Sequence, residues 1–197
     1  MKILHLSDTH NQHHSLREMP AADVIIHSGD VSFAGSEDEV IDFMNWFIAL
    51  PYKYKIFIAG NHDDCLFGAN IDGLPDNCFY LCNSGVTIEG VQFYGIPMFM
   101  EDIVLGNYDD SITKIPPETD VLISHQPPYR VLDFAGNTNF GDPLLFQTLL
   151  EIRPKCHLFG HIHDAYGIEK KEGILFVNAA ILNENYEMSN KPVLLEI

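Results

Sequence analysis

Five short apolar segments of this chain each end at residues that can bind a transition metal. Each segment has four to six residues and is bounded by Gly, Ser or Asp, a pattern typical of buried strands. The segments are residues 2–7, 24–29, 56–60, 121–124 and 157–160, followed by Asp8 and His10, Asp30, Asn61 and His62, His125, and His161 and His163. Because ligands of open α/β sheets bind at the carboxyl ends of strands, these side chains are predicted to form one metal site.

The size and charge of the chain limit what it can bind. Its 197 residues suit one domain, predicted to span residues 1–197, and 46% hydrophobic residues suffice for a sizeable core. The formal net charge of −17 repels polyanions, and 11 Lys and Arg residues are few for a nucleic-acid surface. Nucleic acid is therefore disfavoured as a partner. Bound metal ions would reverse the charge locally, so a nuclease stays open as an alternative.

The sequence carries no sign of membrane insertion or export. No segment reaches the roughly 18 apolar residues that a membrane-spanning helix needs. The first apolar run meets His5 and Ser7 too early for the core of a signal peptide. The cysteines form no Cys-x-x-Cys pair and are interpreted as reduced thiols; they are Cys65, Cys78, Cys82 and Cys156. We therefore expect a cytoplasmic protein without a membrane partner.

The order of sequence patterns predicts the fold class. Strand and helix patterns alternate over the first part of the chain, and shorter strands follow. Ser36 and Glu39 have the spacing of a capping box at a helix start. Asp142 and Pro143 open another helix. A chain that begins with βα units and ends in hairpins is predicted to form an α/β fold of two packed mixed sheets with helices outside.

The individual motifs differ in how strongly they indicate a metal. Asp8 and His10 are two residues apart at a strand end, so both can face one ion, but this pattern alone is weak. Asp30 follows a glycine and can bridge two cations, although Gly-Asp is also a common turn pair. His161 and His163 present two imidazoles with extended i, i+2 spacing. Five of the ten histidines lie at strand ends, which favours a metal site over isolated core histidines.

Five sequence blocks occur in order along nearly the whole chain. They are Asp8-Thr9-His10, Gly29-Asp30, Gly60-Asn61-His62-Asp63, His125 and Gly160-His161-Ile162-His163. In this order the blocks resemble those of the calcineurin-like metallophosphoesterases. The flanking residues 95–97, 115–128 and 159–167 are similar to the small metallophosphoesterase-domain-containing (MPPED-type) subgroup of that superfamily.

This resemblance implies a four-layer αββα sandwich, in which two mixed β-sheets are flanked by helices and hold two divalent metal ions. By motif position, the first ion would be held by Asp8, His10, Asp30 and His163, and the second by Asp30, Asn61, His125 and His161. His62 would be the catalytic residue that donates a proton to the leaving oxygen. Imidazole and oxygen ligands suit manganese, the first expectation, and also iron, zinc, cobalt or nickel. Candidate supporting or substrate-facing residues are Asn11, Asp63 and Asn178.

The activity that the resemblance implies is hydrolysis of a small phosphodiester or phosphomonoester, nucleotides included, by a hydroxide shared between the two ions. A metal-dependent nuclease and a non-catalytic metal-binding scaffold are the alternatives. Asp30 is followed by Val31 and Ser32, whereas the Ser/Thr phosphatases extend this block with Asp-Arg-Gly. This departure argues against protein phosphatase activity.

Substrate selection is expected from three loops, at residues 63–76, 98–112 and 129–141. Their large side chains are candidates for stacking on a nucleobase, although such residues more often pack the loops themselves; they are Met98, Phe99, Met100, Tyr108, Tyr129 and Phe134. Asp63 is a candidate for orienting His62, with the capping of a turn as the alternative. His13 and His14 lie near a predicted helix start and are expected to be exposed to solvent, with a substrate-facing His13 as the alternative.

Overall fold

A computed structural model describes residues 1–17 and 19–197. The strands in chain order are β1 (Lys2–Leu6), β2 (Val24–Ser28), β3 (Tyr54–Ile58), β4 (Cys78–Tyr80), β5 (Ser84–Ile88), β6 (Val91–Ile96), β7 (Val121–Ser124), β8 (Phe134–Ala135), β9 (Thr138–Asn139), β10 (Cys156–Phe159), β11 (Gly167–Lys171), β12 (Ile174–Asn178) and β13 (Val193–Glu196). The α-helices are α1 (Glu37–Ala49), α2 (Met100–Leu105), α3 (Asn107–Thr113) and α4 (Pro143–Ile152). Short 3₁₀ helices lie at His13–Ser15, Asp64–Leu66 and His163–Ala165. No helix of this described part is long and apolar enough to cross a membrane.

In the described residues, the strands form two mixed sheets and a small ribbon of β8 and β9. The first sheet has the order β13-β1-β2-β3-β4, in which β1 to β4 are parallel and β13 is antiparallel to β1. The second has the order β11-β12-β10-β7-β6-β5, in which only the edge strands β5 and β11 are antiparallel to their neighbours. The prediction of two mixed sheets is therefore confirmed.

The central strands are buried on both faces, which explains their continuous apolar sequences. In β2, Ile26 packs between the sheets in one apolar cluster with Ile123 of β7. Its neighbour Ile25 faces the opposite way and joins the apolar residues of α1. On the far side of the second sheet, Leu122 packs with apolar residues of α3 and α4. The layers are therefore helix, sheet, sheet and helix, the αββα arrangement that the resemblance implied.

The two helix starts predicted from the sequence are confirmed. The Ser36 hydroxyl accepts a hydrogen bond from the backbone N–H of Glu39 at 3.4 Å, at the start of α1. The Asp142 carboxylate accepts one from the backbone N–H of Leu145 at 2.8 Å, and a proline is the first residue of α4. Both helices cover outer faces of the sheets.

The prediction of a loop over residues 98–112 is wrong. This segment contains α2 and α3, which meet at Gly106 with a left-handed φ of +78°. No residue of α2 is buried, so its sequence has no core-facing periodicity from which to recognise a helix. Met98, Phe99 and Tyr108 are buried in the apolar core and cannot stack on a substrate.

Candidate metal centre

The carboxyl ends of β1, β2, β3, β7 and β10 bring their following residues together at one rim. Asp8 Oδ1 lies 3.3 Å from His163 Nε2, and Asp30 Oδ2 lies 3.2 Å from His125 Nε2. Asn61 Oδ1 lies 3.1 Å from the same His125 nitrogen. The fold thus gathers side chains that the sequence distributes over separate strand ends.

The predicted metal ligands at this rim form two groups, apart from a third that His62 makes with His10 and Asp30. One group is Asp8, His10 and His163, and the other is Asp30, His125 and His161, with the atoms of each group within 4.8 Å of one another. Asp30 Oδ2 also lies 3.6 Å from His10 Nε2, so its carboxylate stands between the groups. Two groups that share a carboxylate have the arrangement of a two-metal site.

Backbone carbonyls orient the imidazole rings of this centre. The contacts are His10 Nδ1 to Ser32 O at 3.1 Å, His125 Nδ1 to Ser28 O at 2.9 Å, and His163 Nδ1 to Asn183 O at 3.0 Å. A ring that donates its Nδ1–H to a carbonyl presents the lone pair of Nε2, which is the form that binds a metal. Both the kinds of ligand atom at the rim and the distances between them therefore fit metal ions.

The backbone of this centre is strained. Four residues have a left-handed φ, namely Asp8 at +56°, His10 at +39°, Asp30 at +56° and His161 at +68°. Such conformations cost about 1–3 kcal/mol each in non-glycine residues and concentrate at functional sites. Gly60 and Gly160 allow the loops to approach, because a Cβ at either position would collide with the Asp30 or the Asp8 carboxylate.

The two buried carboxylates remain ionised. The backbone N–H of His161 donates to both oxygens of Asp8 at 3.1 Å, and the N–H of His62 donates to Asp30 Oδ1 at 2.8 Å. Burial alone would raise the pKa of both groups. The surrounding histidines outweigh burial, so the pKa of Asp8 lies well below its ordinary value and that of Asp30 is about 2. The rim therefore offers two charged carboxylates to a cation.

The two histidines of the second group differ in protonation. Burial lowers the pKa of His125, but the carboxylates of Asp30 and Asp8 outweigh burial and raise it to about 9. Burial lowers the pKa of His161 to about 4. A cation would compete with the proton on His125, because imidazole binds a metal in its neutral form.

Asp63 supports the loops of the centre instead of orienting His62. Its carboxylate accepts hydrogen bonds from Gly60 N at 2.8 Å, Val31 N at 3.2 Å, Ser32 N at 2.9 Å and Ser32 Oγ at 2.7 Å. The His62 ring is oriented by Phe33, whose carbonyl lies 2.9 Å from Nδ1. Burial, with the nearby Asp30 charge, raises the pKa of Asp63 to about 6. Neither role considered from the sequence accounts for these contacts: Asp63 makes no side-chain capping hydrogen bond to the 3₁₀ helix that it precedes, and its carboxylate instead joins the loops after β2 and β3.

Replacing Asp63 with Asn is expected to lower the free energy of unfolding by about 1–3 kcal/mol, because a buried donor would face the amide group without an acceptor. Chemical denaturation followed by circular dichroism measures this change. The matched control is Asp64→Asn, which alters the exposed neighbouring residue. Equal stability of the two variants would contradict the assigned role of Asp63.

Asn178 and Asn11, the other supporting candidates, lie in different places. Asn178 is fully buried, donates to Ile162 O at 2.9 Å and accepts from Ala180 N at 3.1 Å. It therefore holds the loop that carries two candidate ligands. The Asn11 side chain instead donates to Glu39 Oε1 of α1 at 3.3 Å.

A surface cavity opens onto the centre. It is lined by His10, Asp30, Asn61, His62, His161, His163, Glu184 and Tyr186. His62 is half-buried, and its ring lies edge-on to His10 with centroids 4.7 Å apart. Because the Phe33 carbonyl occupies Nδ1, the Nε2 atom of His62 is the one available to a bound substrate.

Two aromatic residues beside this cavity were not predicted from the sequence. Phe33 and Tyr186 are 52% and 38% exposed, and their ring centroids lie 5.4 Å apart. The Tyr186 ring also lies 5.0 Å from His10 and 5.4 Å from His163. Phe33 lies three residues after Asp30, so its proximity to the centre could have been predicted from the sequence. Tyr186 belongs to no motif, and only the folded chain brings it to the rim.

An αββα sandwich with Asp, His and Asn side chains at this rim defines a metal-dependent phosphoesterase. The chain belongs to the calcineurin-like phosphoesterase family, whose family model matches residues 1–165. It is 32% identical over 225 residues to a UPF0046 protein of Caenorhabditis elegans, covering 100% of this chain and 75% of the relative. It is 33% identical over 227 residues to human metallophosphoesterase domain-containing protein 1, covering 98% of this chain and 69% of the relative. These relatives confirm the likeness to the MPPED-type subgroup.

A solved crystal structure shares the fold at low sequence identity. The two chains superpose with a TM-score of 0.63 at 12% identity, and the match covers 99% of this chain and 98% of the other. The αββα architecture is therefore shared over the whole described chain.

Proposed function

We propose that this protein is a dinuclear metal-dependent phosphoesterase that hydrolyses a small phosphodiester or phosphomonoester. Asp8, His10, Asp30 and His163 would hold one divalent ion, and Asp30, Asn61, His125 and His161 the other. Manganese is the first candidate, with iron, zinc, cobalt and nickel also suited to imidazole and oxygen ligands. When bound, a pair of such ions makes water acidic and neutralises charge on the phosphoryl oxygens.

The position of Asp30 is the observation that carries this proposal. Its carboxylate lies within 3.6 Å of nitrogens from both groups of ligand-type atoms, and its second oxygen is held by the N–H of His62. A carboxylate in this position can be shared by two ions, each of which would also be bound by imidazole nitrogens.

His62 supplies the acid chemistry in this proposal. Its Nε2 faces the cavity, while the Phe33 carbonyl accepts the Nδ1–H and fixes the ring. A protonated His62 can therefore give its proton to the departing oxygen of the substrate without rotating. The backbone N–H of His62 donates to Asp30 Oδ1, which links the proton donor directly to the shared carboxylate.

The walls of the cavity favour a small substrate with a flat ring. Phe33 and Tyr186 offer exposed aromatic faces next to the centre, which suits a nucleotide. The net charge of −17 opposes a nucleic-acid strand, so a nuclease is the weaker candidate.

The four cysteines are free thiols, which supports the proposed cytoplasmic location.

The direct test is turnover of a phosphoester panel with a series of divalent metals. We expect hydrolysis of nitrophenyl monoesters or diesters, or of cyclic nucleotides, with Mn²⁺ and much less with Ca²⁺, because calcium prefers all-oxygen ligands. A chelator should abolish it. Two bound ions without turnover of any ester would overturn the proposal in favour of a scaffold, and cleavage restricted to single- or double-stranded nucleic acid would favour a nuclease.

A further inference from the structure

A second cluster of metal-ligand side chains lies outside the centre described above. His13 Nε2 and His14 Nε2 lie 3.1 Å and 3.0 Å from the same oxygen of Asp42, Oδ2. The sequence predicts solvent exposure for both histidines, but only His14 is exposed, since the His13 side chain is fully buried. We propose that His13, His14 and Asp42 form a third metal site that binds one zinc-type transition-metal ion.

The spacing of the cluster suits such an ion. In a tetrahedral zinc site with metal–ligand bonds of about 2.0–2.1 Å, neighbouring ligand atoms lie about 3.3 Å apart. The two nitrogen–oxygen distances of the cluster are close to that separation, and all three ligand atoms lie within 4.8 Å of one another. Two imidazoles and one carboxylate favour zinc, copper, nickel or cobalt over calcium and magnesium.

The buried His13 ring is the rigid part of the site. It packs against Phe43 and Trp46, with ring centroids 5.6 Å and 5.0 Å away. Its Nδ1 has no hydrogen-bond partner among the described residues. The ring is therefore oriented by packing, whereas the rings of the main centre are oriented by backbone carbonyls. Burial, followed by the charge of His14, lowers the pKa of His13, which favours the neutral form that binds metals.

The other two ligands leave the site open to solvent. The side chains of His14 and Asp42 are 59% and 51% exposed, so an ion can enter and a water molecule can complete its coordination. Asp42 belongs to α1, whereas both histidines belong to the 3₁₀ helix that follows the Asp8–His10 segment. A bound ion would therefore join α1 to the loop that carries two ligands of the main centre.

The single tryptophan of the chain makes this site testable by fluorescence. Trp46 lies beside His13, and Cu²⁺ quenches tryptophan fluorescence at short range. Titration with Cu²⁺ is expected to quench wild-type Trp46. In His14→Ala and Asp42→Asn the quenching should require at least about 10- to 100-fold more Cu²⁺, the loss in affinity usual when even a residue supporting a metal ligand is changed. Zn²⁺ should compete with this quenching in the wild type.

The matched control is Asp38→Asn, which removes one exposed negative charge from the same helix outside the cluster. This variant should quench like the wild type. Equilibrium dialysis against Zn²⁺ should show one zinc fewer per chain in His14→Ala and Asp42→Asn than in Asp38→Asn. All four proteins keep the main centre intact, so this difference does not depend on the proposed phosphoesterase function. Equal quenching curves and equal zinc content in all four proteins would overturn the third site.

Discussion

The Asp30→Asn variant is expected to lose phosphoester turnover by about 10³-fold. The substitution keeps the shape of the side chain but removes the charge that lies between the His10 and His125 nitrogens. Metal ions contribute several kcal/mol to the stabilisation of charge in the transition state, and each 1.4 kcal/mol is about tenfold in rate. Steady-state kinetics with Mn²⁺, together with metal analysis of the same samples, measures the effect. The metal content should fall with the rate.

Asp38→Asn is the appropriate control for Asp30→Asn, because it also removes one carboxylate charge but from an exposed position in the first turn of α1. Its rate and its metal content should match those of the wild type. Circular dichroism should show that both variants are folded, since the oxygen of the amide introduced by Asp30→Asn can still accept the hydrogen bond from His62 N. Wild-type turnover by Asp30→Asn would show that the shared carboxylate has no part in the reaction.

The rim of the centre could be predicted because its signals are local. Each block joins a buried strand to a ligand-type residue within a few positions, as in Gly29-Asp30 and Gly160-His161. The carboxyl ends of parallel neighbours such as β1, β2 and β3 must lie at the same edge of their sheet, so local strand patterns are enough to bring the residues together. The helix starts at Ser36 and Asp142 were predictable for the same reason, since capping depends on residues three positions apart.

The remaining features depend on contacts between distant parts of the chain. Tyr186 reaches the ring of His10 from near the opposite end of the chain, and no local pattern encodes that approach. His13 is buried because α1 supplies Phe43 and Asp42 beside it. The role of Asp63 likewise depends on the loop after β2, whose backbone donors it accepts. In each case the sequence shows the residue type, but only the packing of the folded chain determines which residues it contacts.

The His62→Ala variant should lower kcat by about 10²–10⁴-fold with a substrate whose leaving group is a poor one, such as an alkyl alcohol. His62 presents Nε2 to the cavity and is positioned to protonate the departing oxygen. Metal content must be measured alongside, because His62 also lies with His10 and Asp30 in a group whose ligand-type atoms are within 4.8 Å of one another. A variant that retains both ions but loses kcat would show that His62 is not a metal ligand.

The choice of leaving group separates proton donation by His62 from a structural role. A nitrophenolate departs without needing a proton, so with a nitrophenyl ester the loss in His62→Ala should be much smaller than with an alkyl ester. A ring that merely supported His10, whose centroid lies 4.7 Å away, would lower both rates by the same factor. Equal losses on the two esters would therefore contradict the acid role. A loss that grows as the leaving group becomes more basic would establish it, since only a proton donor responds to the basicity of the departing oxygen.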